Sequence, residues 1–531
     1  MKADLALING KIVTLDPEES IAEAVAVKHG RLVKVGNTKD VKPLVGDETR
    51  VIDLKGRTVV PGLIDSHCHM MSVGAGRKLY VDLSEEAGVH SIADLVGRLR
   101  ERAERTPKGA WVHGYQEDDS KLAEKRHPTR WELDGASSKH PVILSTVGGH
   151  FSIANSYAFK QAGITRDTPD PVGGKFDRDA KGELTGGLHE KAIDMVLPEA
   201  ASQPTREMAR DGAREILQEC ASVGLTCVYD TVERSQMRAA LDVKNGGGLP
   251  IRVRMDVAID LFPELNKLGI YQGLGDDWLA IRGLKFFFDG AISARTAAVT
   301  EEYLNKPGFY GVMATTREIA TKTIMDAYAE GYRISSHANG DAAIAMYLDI
   351  MEEAQRKYPR KDPRNRDIHC TVITPELVRR IKELGILPTI FGPYAYYHGD
   401  KLIPAFGEKR LERMFAARSF LDAGVKIAAH SDHPCAPYPP LMAIHALVNR
   451  RTKAGKPLGV SQRVTVTEAL KLYTVHSAYQ QLDEDRLGSL EEGKLADMVV
   501  LGEDILTVPP ERIKDIPVDM TIIDGKIVYE K

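Results

Sequence analysis

The sequence predicts an α/β fold: a (β/α)8 TIM barrel that carries a small β-sandwich domain built from both termini and an insertion after the first barrel strand. Three observations predict this fold. Eight β-rich runs recur along the chain, and from about residue 205 helical patterns separate them. Similar strand–turn–strand patterns stand at the two ends of the chain, and residues 71–200 do not fit strand–helix alternation.

The two ends of the chain are rich in short strands joined by tight turns. Residues 5–13 predict a hairpin around an Asn-Gly turn, and residues 24–33 predict a second strand pair around a Gly turn. Residues 520–528 repeat the design around an Asp-Gly turn and share the sequence Gly-Lys-Ile-Val with the first hairpin. Such turns also occur in unrelated hairpins, but their match favours one composite β-sandwich domain formed by 1–56 and 485–531.

Residues 57–484 carry the pattern of the barrel. Catalytic residues of such barrels lie where the parallel strands end, so polar side chains at these ends are candidates for a site. The predicted strands are 59–64, 225–229, 251–259, 281–288, 332–336, 367–371, 386–391 and 425–429.

Residues 71–200 are predicted to be an inserted, lid-like region. A helix is expected at 91–105, where apolar residues recur on one face. Gly, Pro and Asp fill 163–187, which predicts a loop-rich stretch. Long loops inside compact domains are usually functional or disordered, so this region is a candidate cover for a site.

The composition of the chain limits the classes of function that it can have. The 531 residues are 43% hydrophobic and 27% charged, which is ordinary for a globular protein. The net charge of −4 gives no basic surface for nucleic acid, and no apolar run is long enough to cross a membrane. The five cysteines are scattered, which fits a reducing compartment. Without an apolar leader at the N-terminus, we expect a cytoplasmic protein with a small-molecule substrate.

The first predicted strand ends in a pair of candidate metal ligands. Side chains two residues apart in a strand point the same way, so His67 and His69 face one side. Two imidazoles at this spacing can bind one zinc, iron, nickel or copper ion. The ordinary alternative is a strand end with two exposed histidines.

Four later strands also end near candidate ligands. Lys285 lies inside an apolar strand, where a charged ammonium is costly. It either reaches the surface or pairs with Asp289, or its neutral amine reacts with CO2 to give a carbamate that bridges two metal ions. His337 and His369 end the fifth and sixth strands, and Asp432 follows the eighth. An acid at that position can bind a metal and take a proton from metal-bound water.

Together these motifs resemble the amidohydrolase superfamily, most closely its amidohydrolase-3 branch of YtcJ-like and N-substituted formamide deformylase-like proteins. The resemblance covers nearly the whole chain and does not specify a substrate. The chain departs from the branch at His430, at His433 and at 113–117. The shared motifs are 63–69, Gly149-His150 with Asn155-Ser156, 285–290, 337–341, Ser431-Asp432 and 488–497.

The resemblance implies a metal-dependent hydrolase with two divalent ions per chain, usually zinc, and gives a mild expectation of a homodimer. It implies that one ion is bound by His67, His69 and Asp432, the other by His337 and His369, and that carboxylated Lys285 bridges them.

We therefore expect a metal-bound hydroxide to attack the carbonyl carbon of an amide-type C–N bond in an N-acyl or N-formyl amine. Asp432 would pass the proton to the leaving amine, and His369 or His150 would help to stabilise the oxyanion. His150 is equally well explained as a structural loop histidine. The candidate substrate contacts are Tyr115 and Tyr394 in an apolar or aromatic pocket, Arg295 for an anionic group, and His433.

Several of these residues also suit structural roles. Tyrosine-rich loops are often plain surface packing, and Arg295 also suits a helix cap.

Two rival functions fit the same fold. A deaminase with one metal ion would use His67, His69, His337 and Asp432 and leave Lys285 unmodified. A non-enzymatic barrel would be expected to lose ligands, whereas here every ligand position is filled.

Overall fold

A computed structural model of the chain describes residues 2–85, 87–119, 121–146, 151–171, 174–198, 203–293 and 295–531. The chain divides into two compact units. One contains Met1–Met71 with Arg214–Lys531, and the other contains Ser72–Ala213.

The larger unit contains a sheet of eight parallel strands in sequential order, which confirms the predicted barrel. The last strand returns to the first, because the backbone N–H of Asp432 donates to the carbonyl of His67 at 3.1 Å. The strands are β1 (Leu63–Cys68), β2 (Leu225–Val232), β3 (Arg252–Ala258), β4 (Leu279–Phe287), β5 (Ile334–Ala338), β6 (Arg366–His369), β7 (Leu387–Phe391) and β8 (Ala428–His430).

The predicted first strand, 59–64, was wrong in its bounds. Thr58–Pro61 belongs to a sheet of the terminal domain, and the barrel strand is Leu63–Cys68. Gly62 joins the two strands at a close approach, since a Cβ atom there would lie 2.2 Å from the hydroxyl of Thr226. One apolar run therefore serves two sheets, which periodicity alone does not reveal.

Helices alternate with the barrel strands, as predicted. Several begin at a Thr N-cap whose side chain accepts a backbone N–H, as Thr316, Thr374 and Thr465 do. The helices of this part of the chain are Arg234–Asn245, Phe262–Lys267, Arg317–Ala329, Asp341–Lys357, Pro375–Glu383, Tyr394–Leu411, Ala417–Asp422, Pro440–Asn449, Val466–Leu472 and Val475–Gln480, with 3-10 turns at Ile259–Leu261, Val460–Gln462 and Pro510–Asp515.

Two further sheets are built from the chain ends, which confirms the small sandwich domain. Their shared core holds residues from both ends, including Leu7, Ile12, Met498 and Ile522. One sheet has the order Arg31–Gly36, Ala24–Lys28, Leu5–Ile8, Arg50–Asp53, with the short helix Thr38–Val41 and the turn Lys42–Leu44 beside it, and the other has the order Lys526–Glu530, Val518–Ile523, Met498–Leu501, Thr58–Pro61, Lys11–Val13, Ile21–Ala22.

One of the three predicted hairpins was wrong. Leu5–Ile8 and Lys11–Val13 lie in different sheets, so the Asn-Gly turn passes the chain from one sheet to the other. The backbone N–H of Lys11 donates to Arg57, at 3.0 Å, instead of to the strand before it. The other two predicted pairs, around Gly30 and Gly525, are antiparallel hairpins.

The smaller unit is a folded α/β region around a six-stranded sheet. The predicted helix is present as Ile92–Arg105 and begins at the N-cap Ser91. The predicted loop-rich stretch 163–187 was wrong in part, since two paired strands lie there. The sheet order is Gly174–Arg178, Leu184–Glu190, Phe151–Ala154, Val142–Thr146, Val112–Glu117, Tyr80–Asp82, and the other helices of this stretch are Met70–Leu79, Arg130–Asp134, Ser156–Ala162, Lys191–Val196 and Arg206–Ser222.

Candidate metal centre

The end of β1 and the segment after β8 bring three ligand side chains together. His67, His69 and Asp432 place one ligand atom each within 4.8 Å of one another. Asp432 Oδ1 lies 3.1 Å from His67 Nε2 and 3.4 Å from His69 Nε2. Two imidazoles and a carboxylate form a donor set that suits zinc and similar divalent ions.

The ends of β5 and β6 place the next two histidines side by side. His369 Nε2 lies 3.0 Å from His337 Nδ1, and the two ring centres are 4.4 Å apart. The His369 ring is also 5.4 Å from that of His67, so the two groups of candidate ligands are adjacent.

Two of the site residues have left-handed backbone conformations. The φ angles of His369 and Asp432 are +79° and +53°, a region that non-glycine residues seldom adopt. Such conformations cost about 1–3 kcal/mol each and cluster at functional sites. The chain therefore holds both side chains in place at the expense of local stability.

Lys285 is buried in β4, and its Nζ atom has no hydrogen-bond partner among the described residues. The alternative pairing with Asp289 is not formed, because that carboxylate accepts the backbone N–H groups of Ala298, Asn339 and Gly340, each at 2.9 Å. Burial lowers the pKa of Lys285 to about 7, against an ordinary 10.5. A neutral amine is the form that can react with CO2.

Burial also favours the neutral form of His67, His337 and His369. It lowers the pKa of His337 to about 3 and those of His67 and His369 well below 6.5. Neutral imidazole is the form that binds metals. Burial of Asp432 opposes its ionisation, but His369, His67 and His69 hold the pKa of its carboxyl well below the usual range. Neutral imidazoles, an ionised carboxylate and an unpartnered amine together fit a metal centre.

Comparison with known proteins decides the family, because the profile of the amidohydrolase family matches residues 50–529. The chain belongs to the amidohydrolase family. The Bacillus subtilis protein YtcJ is 32% identical over 538 residues, covering 98% of both chains. N-substituted formamide deformylase from Arthrobacter pascens is 31% identical over 542 residues, covering 99% of this chain and 98% of its own. The crystal structure of an uncharacterized metal-dependent hydrolase from Pyrococcus horikoshii covers 95% of this chain and 99% of its own, with a TM-score of 0.79 and 26% identity.

Family, fold and donor set agree, so the chain is a metal-dependent amidohydrolase, a hydrolase of carbon–nitrogen bonds. The resemblance predicted from the motifs is confirmed. No helix among the described residues is long and apolar enough to cross a membrane.

Two carboxylates that support the site of this amidohydrolase were missed as functional residues. Asp65 accepts hydrogen bonds from the Ser431 hydroxyl and from its backbone N–H, at 2.5 and 3.1 Å, and so ties β1 to the segment that carries Asp432. Asp289 accepts the backbone N–H of Asn339 and so orders the loop after β5. In this loop the side-chain nitrogen Nδ2 of Asn339 lies 3.2 Å from His337 Nε2. In the sequence, the one indication of this role is that Asp65 and Asp289 stand close to the predicted ligands His67 and Lys285.

The predicted substrate contacts lie in different surroundings. Tyr394 is buried, accepts a hydrogen bond from the Ser293 backbone at 2.9 Å, and packs on Phe391, which in turn stacks on His369. Arg295 is exposed and has a φ of +58°.

The remaining predicted site residues are His433, Tyr115 and His150. The His433 carbonyl accepts the backbone N–H of His69 at 3.0 Å, so this residue helps to hold a candidate ligand. Tyr115 lies in the smaller unit, where it lines a cavity of about 410 Å³ with Tyr80 and several arginines. His150 lies outside the described residues.

Proposed function

We propose that this amidohydrolase cleaves the amide-type C–N bond of an N-acyl or N-formyl amine with two divalent ions, most simply zinc. The observation that carries the proposal is that the ends of five barrel strands supply five candidate ligands in two adjacent groups, together with a buried lysine whose amine has no hydrogen-bond partner among the described residues. The similarity to an enzyme named for N-substituted formamides supports a small acyl group.

The residues divide between two sites in this proposal. His67, His69 and Asp432 would hold one ion, as their clustered ligand atoms support. His337 and His369 would hold the other, and carboxylated Lys285 would bridge the two. When bound, such ions polarise a carbonyl and lower the pKa of a bound water to near 7.

Asp432 is the proton carrier in this proposal. Its Oδ1 atom contacts both β1 histidines, and its ionised carboxylate is ready to accept the proton of the attacking water. It then returns that proton to the leaving nitrogen as the C–N bond breaks, which avoids release of an amide anion.

The remaining roles concern binding and charge. His369 helps to stabilise the oxyanion of the tetrahedral intermediate, and we keep the same proposal for His150. Tyr115, Tyr394, Arg295 and His433 remain proposed substrate contacts. None of the five cysteines, all of which the structure describes, forms a disulfide, which supports the proposed cytoplasmic location. A homodimer remains an expectation from the resemblance.

The test combines metal analysis with a substrate screen. Protein purified without added metal is analysed for metal content and for its native mass, and then assayed with N-formyl and N-acyl amines. Two ions per chain, a mass increment of one CO2 and release of free amine would support the proposal. Absence of metal even after reconstitution would overturn it.

A second candidate is a deaminase with one ion. The observation that favours it is that, among the described residues, one group of three ligands converges, while His337 and His369 contact each other. One ion per chain, no CO2 increment and release of ammonia from a ring or exocyclic amine would identify this reaction instead.

A further inference from the structure

His430 is a fifth imidazole beside the candidate metal centre. It is the last residue of β8 and is fully buried. Its ring centre lies 5.3 Å from that of His67, 5.0 Å from that of His369 and 4.5 Å from that of Phe391. Three rings therefore fix the position of this imidazole.

Both ring nitrogens of His430 are buried. Neither of its ring nitrogens has a hydrogen-bond partner among the described residues, and the same holds for Lys285 Nζ and His369 Nδ1. Buried polar atoms are almost always partnered, so this group of orphans marks a missing polar species. A continuous series of contacts joins these atoms. Lys285 Nζ lies 5.1 Å from the centre of the Phe287 ring, Phe287 packs on His337, and the His337 ring in turn contacts that of His369, the neighbour of His430.

A direct role of His430 as a metal ligand fits less well. The His430 nitrogens belong to neither group of candidate ligands: they are not among the clustered ligand atoms of His67, His69 and Asp432, and among the described residues they have no hydrogen-bond partner, whereas His369 Nε2 and His337 Nδ1 lie 3.0 Å apart. The missing species must instead offer a hydrogen-bond acceptor to a neutral imidazole.

We propose that His430 is a positioning residue whose ring N–H donates a hydrogen bond to the carbamate formed on Lys285 and so stabilises the carboxylated lysine. The inference rests on the proposed two-ion function, in which this carbamate is the bridging ligand. It gives a partner to Lys285 and to one nitrogen of His430 at the same time.

The reaction that creates this partner is balanced. The neutral amine of Lys285 attacks the carbon of CO2, and an N–C bond forms while the electrons of one C–O π bond move to oxygen. The nitrogen releases one proton to solvent or buffer. The product is an anion with two acceptor oxygens, and a neutral imidazole donates one charge-assisted hydrogen bond to it.

The test compares His430→Phe with His430→Gln. Phenylalanine keeps an aromatic ring packed on His67, His369 and Phe391 but has no donor, whereas glutamine restores an N–H. With isotope-labelled bicarbonate, the carbamate signal and the native mass report the occupancy of Lys285, and metal analysis reports ions per chain. His445→Phe is the matched control, because His445 is buried elsewhere and lies 3.1 Å from the Pro510 carbonyl.

We expect His430→Phe to need roughly tenfold more bicarbonate for half occupancy, as loss of one hydrogen bond to an anion predicts. Its metal content should fall at low bicarbonate and recover at high bicarbonate. His430→Gln should lie between it and the unmodified protein, and His445→Phe should not change the occupancy.

Equal bicarbonate dependence of His430→Phe and the unmodified protein would overturn the proposal. If His430→Phe does not fold, His430→Leu against His430→Gln makes the same comparison. The unmodified protein alone reports on the two-ion function: with no carbamate and one ion, that function fails and the role of His430 fails with it. A normal carbamate that does not respond to position 430 removes the role of His430 alone.

Discussion

At the scale of single residues, Asp432 combines ligand and proton-carrier roles in one carboxylate. Its backbone is held in a left-handed conformation, and its Oδ1 atom lies close to two imidazoles. Asparagine keeps the oxygen ligand but cannot take a proton. We expect Asp432→Asn to retain most of the metal and to lower kcat by about 10²–10⁴, the usual contribution of general acid–base catalysis.

The measurement is kcat on an N-formyl amine together with metal content. Asp422→Asn is the matched control, because that carboxylate is exposed on a helix and pairs only with Arg418 in the described structure. Near-normal turnover of Asp432→Asn would refute the assigned role.

The buried Lys285 side chain lowers the free energy of unfolding of the metal-free protein. Its amine is buried without a hydrogen-bond partner in the part of the chain that the structure describes, and its folded-state pKa of about 7 lies below the ordinary 10.5. The unfolded chain therefore binds more protons between these values, and the stability of the metal-free protein rises with pH from about 7 to about 10. Lys285→Met removes this cost, so we expect it to be as stable as, or more stable than, the metal-free parent.

The advantage of Lys285→Met should be largest at pH 7 and below and should shrink toward pH 10, while carbamate and turnover are lost. Urea unfolding of both metal-free proteins across this range measures it. A methionine variant that is less stable than its parent at pH 7 would show that the amine has a partner in solution.

At the scale of elements, Asp65 and Ser431 act as a latch between the first and last barrel strands. The buried Asp65 carboxylate receives both the hydroxyl and the backbone N–H of Ser431, the residue before Asp432. Removal of one partner that leaves a buried acceptor unsatisfied costs about 1–3 kcal/mol. We expect Ser431→Ala to lower the free energy of unfolding by that amount and to weaken metal binding.

Denaturant midpoints and metal titration test this latch. Ser235→Ala, at an exposed helical position, is the control. Unchanged metal affinity in Ser431→Ala would mean that the latch closes the barrel without positioning Asp432.

At the level of elements, local sequence patterns predict some features of the site correctly and others wrongly. The ligands at the ends of β1, β5 and β6 follow from counting strands, since each strand end is local information. The latch joins residues 366 positions apart, so no local pattern contains it. The short run 59–64 and the first Asn-Gly turn are each compatible with two pairings, and tertiary contacts choose between them.

At the scale of the whole molecule, the fold class was predictable because repetition accumulates: eight strands, helices between them and matched chain ends point to one architecture. The proposed boundaries of the terminal domain and barrel, and the lid-like role of 71–200, remain predictions. The ligand roles also remain predictions, since side chains alone do not reveal how many ions they hold.

A buried ionic network joins the barrel to the C-terminal segment. Asp483 receives hydrogen bonds from Arg254 of β3 and Arg282 of β4, at 2.6 and 2.7 Å, and all three side chains are almost fully buried. Removing one member of such a network leaves charges buried without a partner, which costs about 3–5 kcal/mol. We expect Asp483→Asn to lose that much free energy of unfolding, as measured by urea denaturation.

The neighbouring Asp485 is exposed, so Asp485→Asn tests whether the loss comes from burial and not from the change in net charge. Since the pKa of the Asp483 carboxyl is lowered in the folded protein, where the arginines outweigh its burial, this part of the stability is present at neutral pH and is lost as the pH falls through its folded value. The stability gap between the parent and Asp483→Asn should therefore narrow in acid. A gap that stays constant would mean that Asp483 acts through packing, and that the barrel and the C-terminal segment are joined without its charge.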